Sequence, residues 1–344
     1  MRLFTHKGSG IRIAVFGKTD VGRTREHNED CFLVADLTRR KASLQPDVRE
    51  HELGAKGSLF VVADGMGGAA AGEVASQMAT ETVYQHLLDH WLTDDENTPQ
   101  QFAYRLKEAV ETANARIHTH AKEHPELRGM GTTTTAVGVL GDHLYLAQVG
   151  DSRAYLIREG EAIQLTKDQS LMQRLVDAGE ITEEEAEKSE RRNIILQALG
   201  PDAKVRVDLT NQQLRRGDAV VLCSDGLSGQ LTREEVATLV EQADKDLIAQ
   251  CSELIDRANE RGGPDNITVV IVRFDGPQLR DPSSKEDVGH KVFPLLDPEA
   301  DTEPVPIYRD SPPPLPQNKM PLVLASALAA GLVAAALLFA MSGA

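Results

Sequence analysis

Acidic residues stand where apolar runs break off: Glu29-Asp30 ahead of residues 31–35, Asp64 after 59–63, Asp225 after 219–223, and Asp265 just before 267–274. Taken singly, an aspartate beside a glycine is a turn former, and that reading suffices for Asp142 and Asp202. As a set they differ. Asp64-Gly65-Met66-Gly67-Gly68, Ser224-Asp225-Gly226 and Pro264-Asp265-Asn266 each join a strand-like run to a flexible backbone, so a carboxylate and a main-chain carbonyl can approach one point. Carboxylates gathered at one point repel, and would take up protons unless a cation neutralised them. Oxygen ligands with room for water suit Mg2+ or Mn2+ and not zinc. The 3 cysteines, Cys31, Cys223 and Cys251, are far apart, make no C-x-x-C pair and lack histidines at zinc spacing, so they read as reduced core thiols of a cytosolic domain. A formal net charge of −16 excludes a nucleic-acid binder, and means that an anionic substrate needs a local cation.

The elements that would position these residues alternate from residue 11 to residue 274 with no internal stretch poor in apolar side chains, which predicts one domain. Residues 11–16, 31–35 and 59–63 read as strands, and the polar stretch 36–57 as a loop. Apolar side chains on one face predict a helix over 72–92. Thr98 as N-cap, Pro99 at the first helical position and Gln101 closing a capping box open a second, carried by Phe102, Leu106, Val110, Ala113 and Ile117. Short turn signals then separate 132–140, 143–149, 153–158 and 162–165, the pattern of an antiparallel meander. Helices are expected at 171–179, 182–190, 232–240 and 246–261, and strands at 205–209, 219–223 and 267–274. Antiparallel strands with helices outside make an α+β layered sandwich.

Beyond residue 274 the composition changes. Residues 275–319 carry Pro282, Pro304, Pro306, Pro312, Pro313, Pro314 and Pro316 with few large apolar side chains, a linker pattern. Residues 320–341 are almost wholly apolar, about the ~20 residues that cross a ~30 Å hydrocarbon layer as one transmembrane helix. A buried core helix is the blander reading, but a terminal helix with no polar face behind a proline-rich tether has no core to join. Arg309 and Lys319 precede the segment and nothing basic follows it, which orients the domain to the cytoplasm. Residues 1–10 have no secretory pattern, in agreement. The expected place is therefore a membrane, through a single-pass C-terminal anchor in the lipid bilayer.

At this point the chain resembles the metal-dependent protein phosphatases of the protein phosphatase 2C type, in their bacterial form. The resemblance covers nearly all of residues 11–274. Its residues are Thr19-Asp20-Val21-Gly22 through Arg25 to Asn28-Glu29-Asp30, Val62-Ala63-Asp64-Gly65-Met66-Gly67-Gly68 with Ala71-Gly72-Glu73, and Gly131-Thr132-Thr133-Thr134. Val149-Gly150-Asp151-Ser152-Arg153, Ala198-Leu199-Gly200, Cys223-Ser224-Asp225-Gly226-Leu227 and Gly263-Pro264-Asp265-Asn266-Ile267-Thr268 continue it in family order. The resemblance implies an α/β/β/α sandwich of two antiparallel sheets flanked by helices. It implies two Mn2+ or Mg2+ ions bridged by Asp64, with Asp225 and Asp265 completing the first, the Gly65 carbonyl helping to hold the second, and Glu29 or Asp30 serving that second ion directly or through water. Asp151 would take a weaker third ion, with a plain turn aspartate as the alternative. Arg25 would bind phosphate and Arg23 would be a solvated loop residue. The reaction implied is attack of a metal-bridging hydroxide on phosphoserine or phosphothreonine in proteins.

Residues 168–196 correspond to the family's flap beside the site. The sequence departs from the family pattern at Met66 and Ala69, where relatives place a histidine, at Gln169, where Asp-His-Ser is common, and at Gln197, where an arginine is common. These bear on proton supply to the leaving group and on the flap. The partners implied are phosphorylated proteins, including a serine/threonine kinase or its substrates. A rival expectation is a catalytically weak, membrane-tethered phosphoprotein-binding module of the same fold, and the intact Asp64, Asp225 and Asp265 weigh against it.

Overall fold

Whether a strand's side chains alternate or run continuously apolar decides how many of its faces are covered. In β5 (Ser58–Met66), Leu59, Val61 and Ala63 pack into one apolar cluster while Phe60 and Val62 pack into another. Both faces are therefore buried. The computed structural model describes residues 10–295 apart from 45, 46, 48, 68–70, 96, 190, 243, 244 and 284–286. Ahead of β5 lie β1 (Arg12–Asp20), β2 (Asp30–Asp36), β3 (Lys41–Ser43) and β4 (Arg49–Glu52). After it come α1 (Ala71–His86), α2 (Pro99–Glu123), β6 (Gly131–Thr132), β7 (Thr134–Leu140), β8 (His143–Val149), β9 (Arg153–Arg158) and β10 (Glu161–Gln164). The remainder is α3 (Leu171–Asp177), α4 (Glu183–Glu187), β11 (Asp208–Gln213), β12 (Ala219–Cys223), α5 (Asp225–Ser228), α6 (Arg233–Val240), α7 (Leu247–Glu260) and β13 (Ile267–Asp275).

The strands form two antiparallel sheets, ordered β10-β9-β12-β13-β1-β4 and β11-β8-β7-β5-β2-β3, with β6 paired to the end of β5. One apolar cluster fills the space between the sheets, with Val15, Phe32, Phe60, Leu156 and Val270 among its members. A second lies under α1 and α2 around Val83, Trp91, Phe102 and Leu106, and a third under α6 and α7 around Val236, Leu254 and Ile255. The layers run α/β/β/α, as expected.

Four local expectations change. The stretch 36–57, read as loop, holds β3 and β4, one at the edge of each sheet; their exposed polar residues suit edge strands with one covered side. The four strands read as one meander belong to different sheets, because the chain crosses from β8 to β9 through Gly150-Asp151-Ser152. Thr98 does cap α2, accepting from Gln101 N at 3.2 Å, but the Gln101 carboxamide turns to Asp94 at 2.9 Å and does not close the box. The strand expected at 205–209 falls at Asp208–Gln213.

The chain also stays packed past Phe274. Phe293 N donates to Leu209 O at 2.9 Å, Asn211 N to Lys291 O at 3.0 Å, and the Phe293 ring meets Tyr145 edge-on with centroids 5.4 Å apart. Leu279 is buried, and Leu295 packs onto the core beneath α2. Among the described residues no helix is long and apolar enough to cross a membrane. The expected anchor at 320–341 lies outside them.

Candidate metal centre and active site

Strand parity carries the acidic side chains to one place. In β2, Leu33 and Ala35 face the helices while Phe32 and Val34 face the second sheet, so Asp30 takes the inter-sheet side. In β5 the same count puts Asp64 on the side of Phe60 and Val62, and the register sets Asp30 opposite Asp64. From the other sheet, Asp225 follows the end of β12 and Asp265 precedes β13, while Asp151 sits in the turn where the chain changes sheets. Both sheets thus end at one open edge of the sandwich.

Small polar side chains hold these ends in place. The buried Ser224 hydroxyl donates to Asp30 Oδ2 at 2.7 Å and accepts from Thr268 N at 3.0 Å, tying the sheets together beneath the acids. Thr133 Oγ1 accepts from Asp64 N at 3.0 Å and lies 2.7 Å from Ser152 Oγ, so the Asp64 backbone and the Asp151 turn share a hinge. The Asn266 carboxamide donates to Val21 O and His27 O, both at 2.9 Å, and accepts from Glu29 N at 2.8 Å, which staples the loop carrying Arg25. Gly22 in that loop has φ +81°, and a Cβ there would lie 2.2 Å from Asp265 O. The carboxylate of Glu29 lies against Gly72: a Cβ at Gly72 would come within 2.8 Å of both Glu29 Oε2 and the Gly65 carbonyl carbon. Glu29 is thus the acid beside Gly65, and Asp30 the one beside Ser224.

Burial raises the carboxyl groups of Glu29, Asp30, Asp64, Asp151 and Asp225, and repulsion from neighbouring acids adds to it. Asp30 is pushed up to about 7, by burial first, with Ser224 and Thr268 hydrogen bonds opposing and Asp225 and Asp265 adding. Asp151 goes up to about 8, by burial and then by Asp225 and Asp168. Asp64 is held well above the usual carboxylate range by burial and by Asp30, Asp225 and Asp151. Asp225 is raised by burial and by Asp265, and Glu29 by burial against the opposing charge of Arg25. Asp30 Oδ1, Asp151 Oδ1 and Asp225 Oδ1 are buried and have no hydrogen-bond partner among the described residues. Unmatched buried acceptors of this kind call for a cation or water. Among the described residues no three acidic, histidine or cysteine side chains are yet drawn into one closed cage. What fits a divalent ion is the donor chemistry: unmatched carboxylate oxygens, no thiol and no imidazole.

Above the acids opens a cleft of about 660 Å3 that reaches Asp151, Asp225 and Asp265. Its far wall is the segment carrying α3 and α4, through Ser170, Met172, Gln173, Glu183 and Arg192. Arg233 Nη2 meets Glu183 Oε2 at 3.1 Å across one end. Arg25 lines the cleft and donates from Nη2 to Asp265 Oδ2 at 2.7 Å; Arg23 does not line it, and its backbone N–H donates to Gly263 O. Arg153 is drawn under the cleft by Asp168, which accepts from its Nε at 3.0 Å and from its Nη2 at 2.7 Å.

A family model described as Protein phosphatase 2C matches residues 38–264. The chain belongs to the protein phosphatase 2C family. Over 259 residues it is 37% identical to the serine/threonine phosphatase stp of Listeria monocytogenes, covering 75% of this chain and 94% of that protein. Over 214 residues it is 42% identical to the serine/threonine protein phosphatase PstP of Mycobacterium tuberculosis, covering 62% of this chain and 40% of that protein, so the match spans less than half of the mycobacterial chain. The solved catalytic domain of PstP in complex with 2 manganese ions is similar with a TM-score of 0.61 at 36% identity, covering 77% of this chain and 99% of that one. Stp1 from Staphylococcus aureus is similar with a TM-score of 0.68 at 29% identity, covering 79% and 99%.

In this protein phosphatase 2C domain the residues singled out in the sequence gather at one place. Asp30, Asp64, Asp151, Asp225 and Asp265 act on one another electrostatically, and Glu29 with Gly65 stands at their edge. Met66 ends β5, half-buried, and Ala69 lies outside the described residues. Sequence reasoning assigned no role to Ser224, Thr133 or Asn266, although each sits inside a quoted motif. The available signal was a small hydroxyl or amide where an apolar strand should continue. The three cysteines are free, and burial pushes the Cys223 thiol up to about 12, in keeping with a core thiol.

Proposed function

We propose that this chain removes phosphate from phosphoserine and phosphothreonine in proteins, using two divalent cations, Mn2+ or Mg2+, and a third held more weakly. The observation that carries this reading is the set of unpartnered buried oxygens on Asp30, Asp151 and Asp225 at the foot of a cleft that also holds an arginine. Asp64, Asp225 and Asp265 would hold the first ion. Asp64, the Gly65 carbonyl and Glu29 would hold the second, with Asp30 behind Asp64 acting through water, and Asp151 would hold the third. When bound, such ions acidify a water molecule and offset the charge of a phosphoryl group. The protein does the rest. Arg25 gives up Asp265 for two phosphate oxygens, which its planar fork can hold at once. Ser224, Thr133 and Asn266 keep the acids from spreading as they ionise, and the wall formed by α3 and α4 limits what approaches. Hydrolysis of a phosphothreonine peptide is expected to need added Mn2+ or Mg2+, to stop with chelator, and to fall by several orders of magnitude in Asp64→Asn and Asp225→Asn. Full activity in the chelated protein would rule out this reading, and metal binding without turnover would favour the phosphoprotein-binding module.

The same reading places the enzyme at a membrane. Residues 320–341 would be a single-pass anchor, the catalytic domain would lie in the cytoplasm, and the phosphoproteins within reach would include a membrane-bound serine/threonine kinase or its substrates. The support is the apolar, uncharged sequence behind a proline-rich tether. The full chain is expected to sediment with membranes and resist salt extraction, whereas a chain ending after Leu296 stays in the supernatant. Release of the full chain by salt alone would remove the anchor.

A further inference from the structure

Gly150 links the end of β8 to Asp151, and its peptide groups are gripped from one neighbour. Gln169 N donates to Gly150 O at 2.9 Å, and the Gln169 carboxamide oxygen accepts from Gly150 N at 2.9 Å. A backbone N–H can only donate, so the orientation of that carboxamide is set by chemistry: its oxygen must face Gly150. The same oxygen takes a second hydrogen bond, from Gln197 Nε2 at 2.8 Å. Gln197 is held in turn, its Nε2 donating to Arg206 O at 2.8 Å and its Oε1 accepting from Arg206 N at 2.8 Å. Leu196 N donates to Gln169 O at 2.8 Å, which closes the base of the segment carrying α3 and α4. The two glutamines are 28 residues apart and are the two positions near the flap where the sequence departs from the family pattern.

We propose that Gln169, locked by Gln197, is a positioning residue that sets both the aim of the Asp151 carboxylate and the root of the flap, so that the weakest cation site and the flap are one mechanical unit. Gly150 has φ +104°, and a Cβ there would lie 2.7 Å from Thr133, so Gly150 brings no side chain to the turn, whose far end Ser152 holds through Thr133 Oγ1 at 2.7 Å. Gln148 adds one hydrogen bond to Gly150 O at 3.1 Å, but among the described residues only Gln169 holds the N–H. Asp151 is 6% exposed with one buried oxygen unpartnered, and a carboxylate so placed binds a cation only as well as its backbone is fixed. Uncharged carboxamides provide that fixing without adding a charge beside the acids. Coupling follows by reciprocity: whatever loosens the flap root weakens the cation at Asp151, and the cation tightens the flap root.

The inference rests on Asp151 being the ligand of the weakest cation, and the test separates the two. Mn2+ binding by the full chain in detergent is measured by calorimetry for the parent, Asp151→Asn, Gln169→Met, Gln197→Met and the double glutamine variant, each checked for folding by thermal unfolding. Methionine keeps the length of glutamine and removes its hydrogen bonds. Gln169→Met is expected to weaken the weakest Mn2+ site about tenfold, leave the tight sites as they are, and raise the KM for a phosphothreonine peptide more than that for nitrophenyl phosphate. Gln197→Met should act in the same direction by about threefold, and the double variant should be no worse than Gln169→Met, because Gln197 works through Gln169. Loss of the weak site in Asp151→Asn with a parental isotherm in Gln169→Met overturns this inference alone. An isotherm unchanged by Asp151→Asn overturns the Asp151 assignment and the inference together. Should Gln169→Met not fold, an unchanged isotherm in Gln197→Met is decisive against it.

Discussion

Arg25 and Asp265 make an ion pair at the lip of the cleft whose acidic partner also belongs to the cluster, and this gives the arginine two possible partners. With Asp265 committed to a cation, the guanidinium is free for a phosphate. Arg25→Ala is therefore expected to raise the KM for phosphopeptides and weaken inhibition by free phosphate, since a charge-assisted contact worth roughly 1.5 to 3 kcal/mol is lost, about 10- to 100-fold in kcat/KM. Arg23→Ala should change either value by less than about twofold, because that residue meets Gly263 through its backbone and does not line the cleft. Steady-state kinetics on one peptide check both, and parental kinetics for Arg25→Ala would misplace the phosphate site. The acids themselves were legible because acidic residues broke apolar runs in four places, two of them beside a glycine. Their supports were not. Ser224 is one hydroxyl in a turn until β12 and β2 are known to face each other, and Gln169 with Gln197 looked like two separate departures until the fold brought their carboxamides to 2.8 Å.

At the scale of elements, the packed stretch after Phe274 is where periodicity was least informative. The segment is poor in apolar residues, yet Leu279, Val288, Phe293 and Leu295 each find the core, and residues 291–293 run along β11, the outer strand of its sheet. Proline content marked the tether but could not mark where it leaves the domain. A chain ending after Phe274 would expose that strand edge and uncover Tyr145. Thermal unfolding is expected to drop by several degrees relative to a chain ending after Leu296, at ~2–4 °C per kcal/mol for a domain of this size and roughly 1–3 kcal/mol for one partly buried phenylalanine. Equal midpoints would mean that residues 275–295 are dispensable tether. The meander failed for a related reason. Alternation and turn residues identify strands, but only the fold reveals that Gly150-Asp151-Ser152 changes sheets, which is how Asp151 reaches the acids.

At the scale of the whole molecule, the acidic cluster is a liability that the cation relieves, and the sign of its pH dependence can be worked out. Asp30 and Asp151 rise to about 7 and about 8 in the fold, and Asp64 and Asp225 rise as well, whereas an unfolded aspartate titrates near ~3.9. A group whose folded pKa is raised contributes stability that is fully present below its unfolded pKa and is lost as pH rises through its folded pKa. The metal-free protein should therefore lose stability between about pH 4 and about pH 8. That slope alone does not decide, because a net charge of −16 adds general repulsion over the same range. The difference made by Mn2+ does decide. The cation must displace protons from these carboxyls, so its affinity grows with pH, and it stabilises the fold in proportion to the logarithm of its saturation. The gain in unfolding midpoint from excess Mn2+ over chelator should be small near pH 5 and increase through about pH 8. General repulsion affects both samples and largely cancels in that difference. In Asp225→Asn the dependence should flatten, with a metal-free midpoint above that of the parent at about pH 8, since one charge of the repelling set is gone. A Mn2+ gain that is constant across pH, or a metal-free Asp225→Asn no more stable than the parent at that pH, would mean that the clustered carboxyls are not what the cation neutralises.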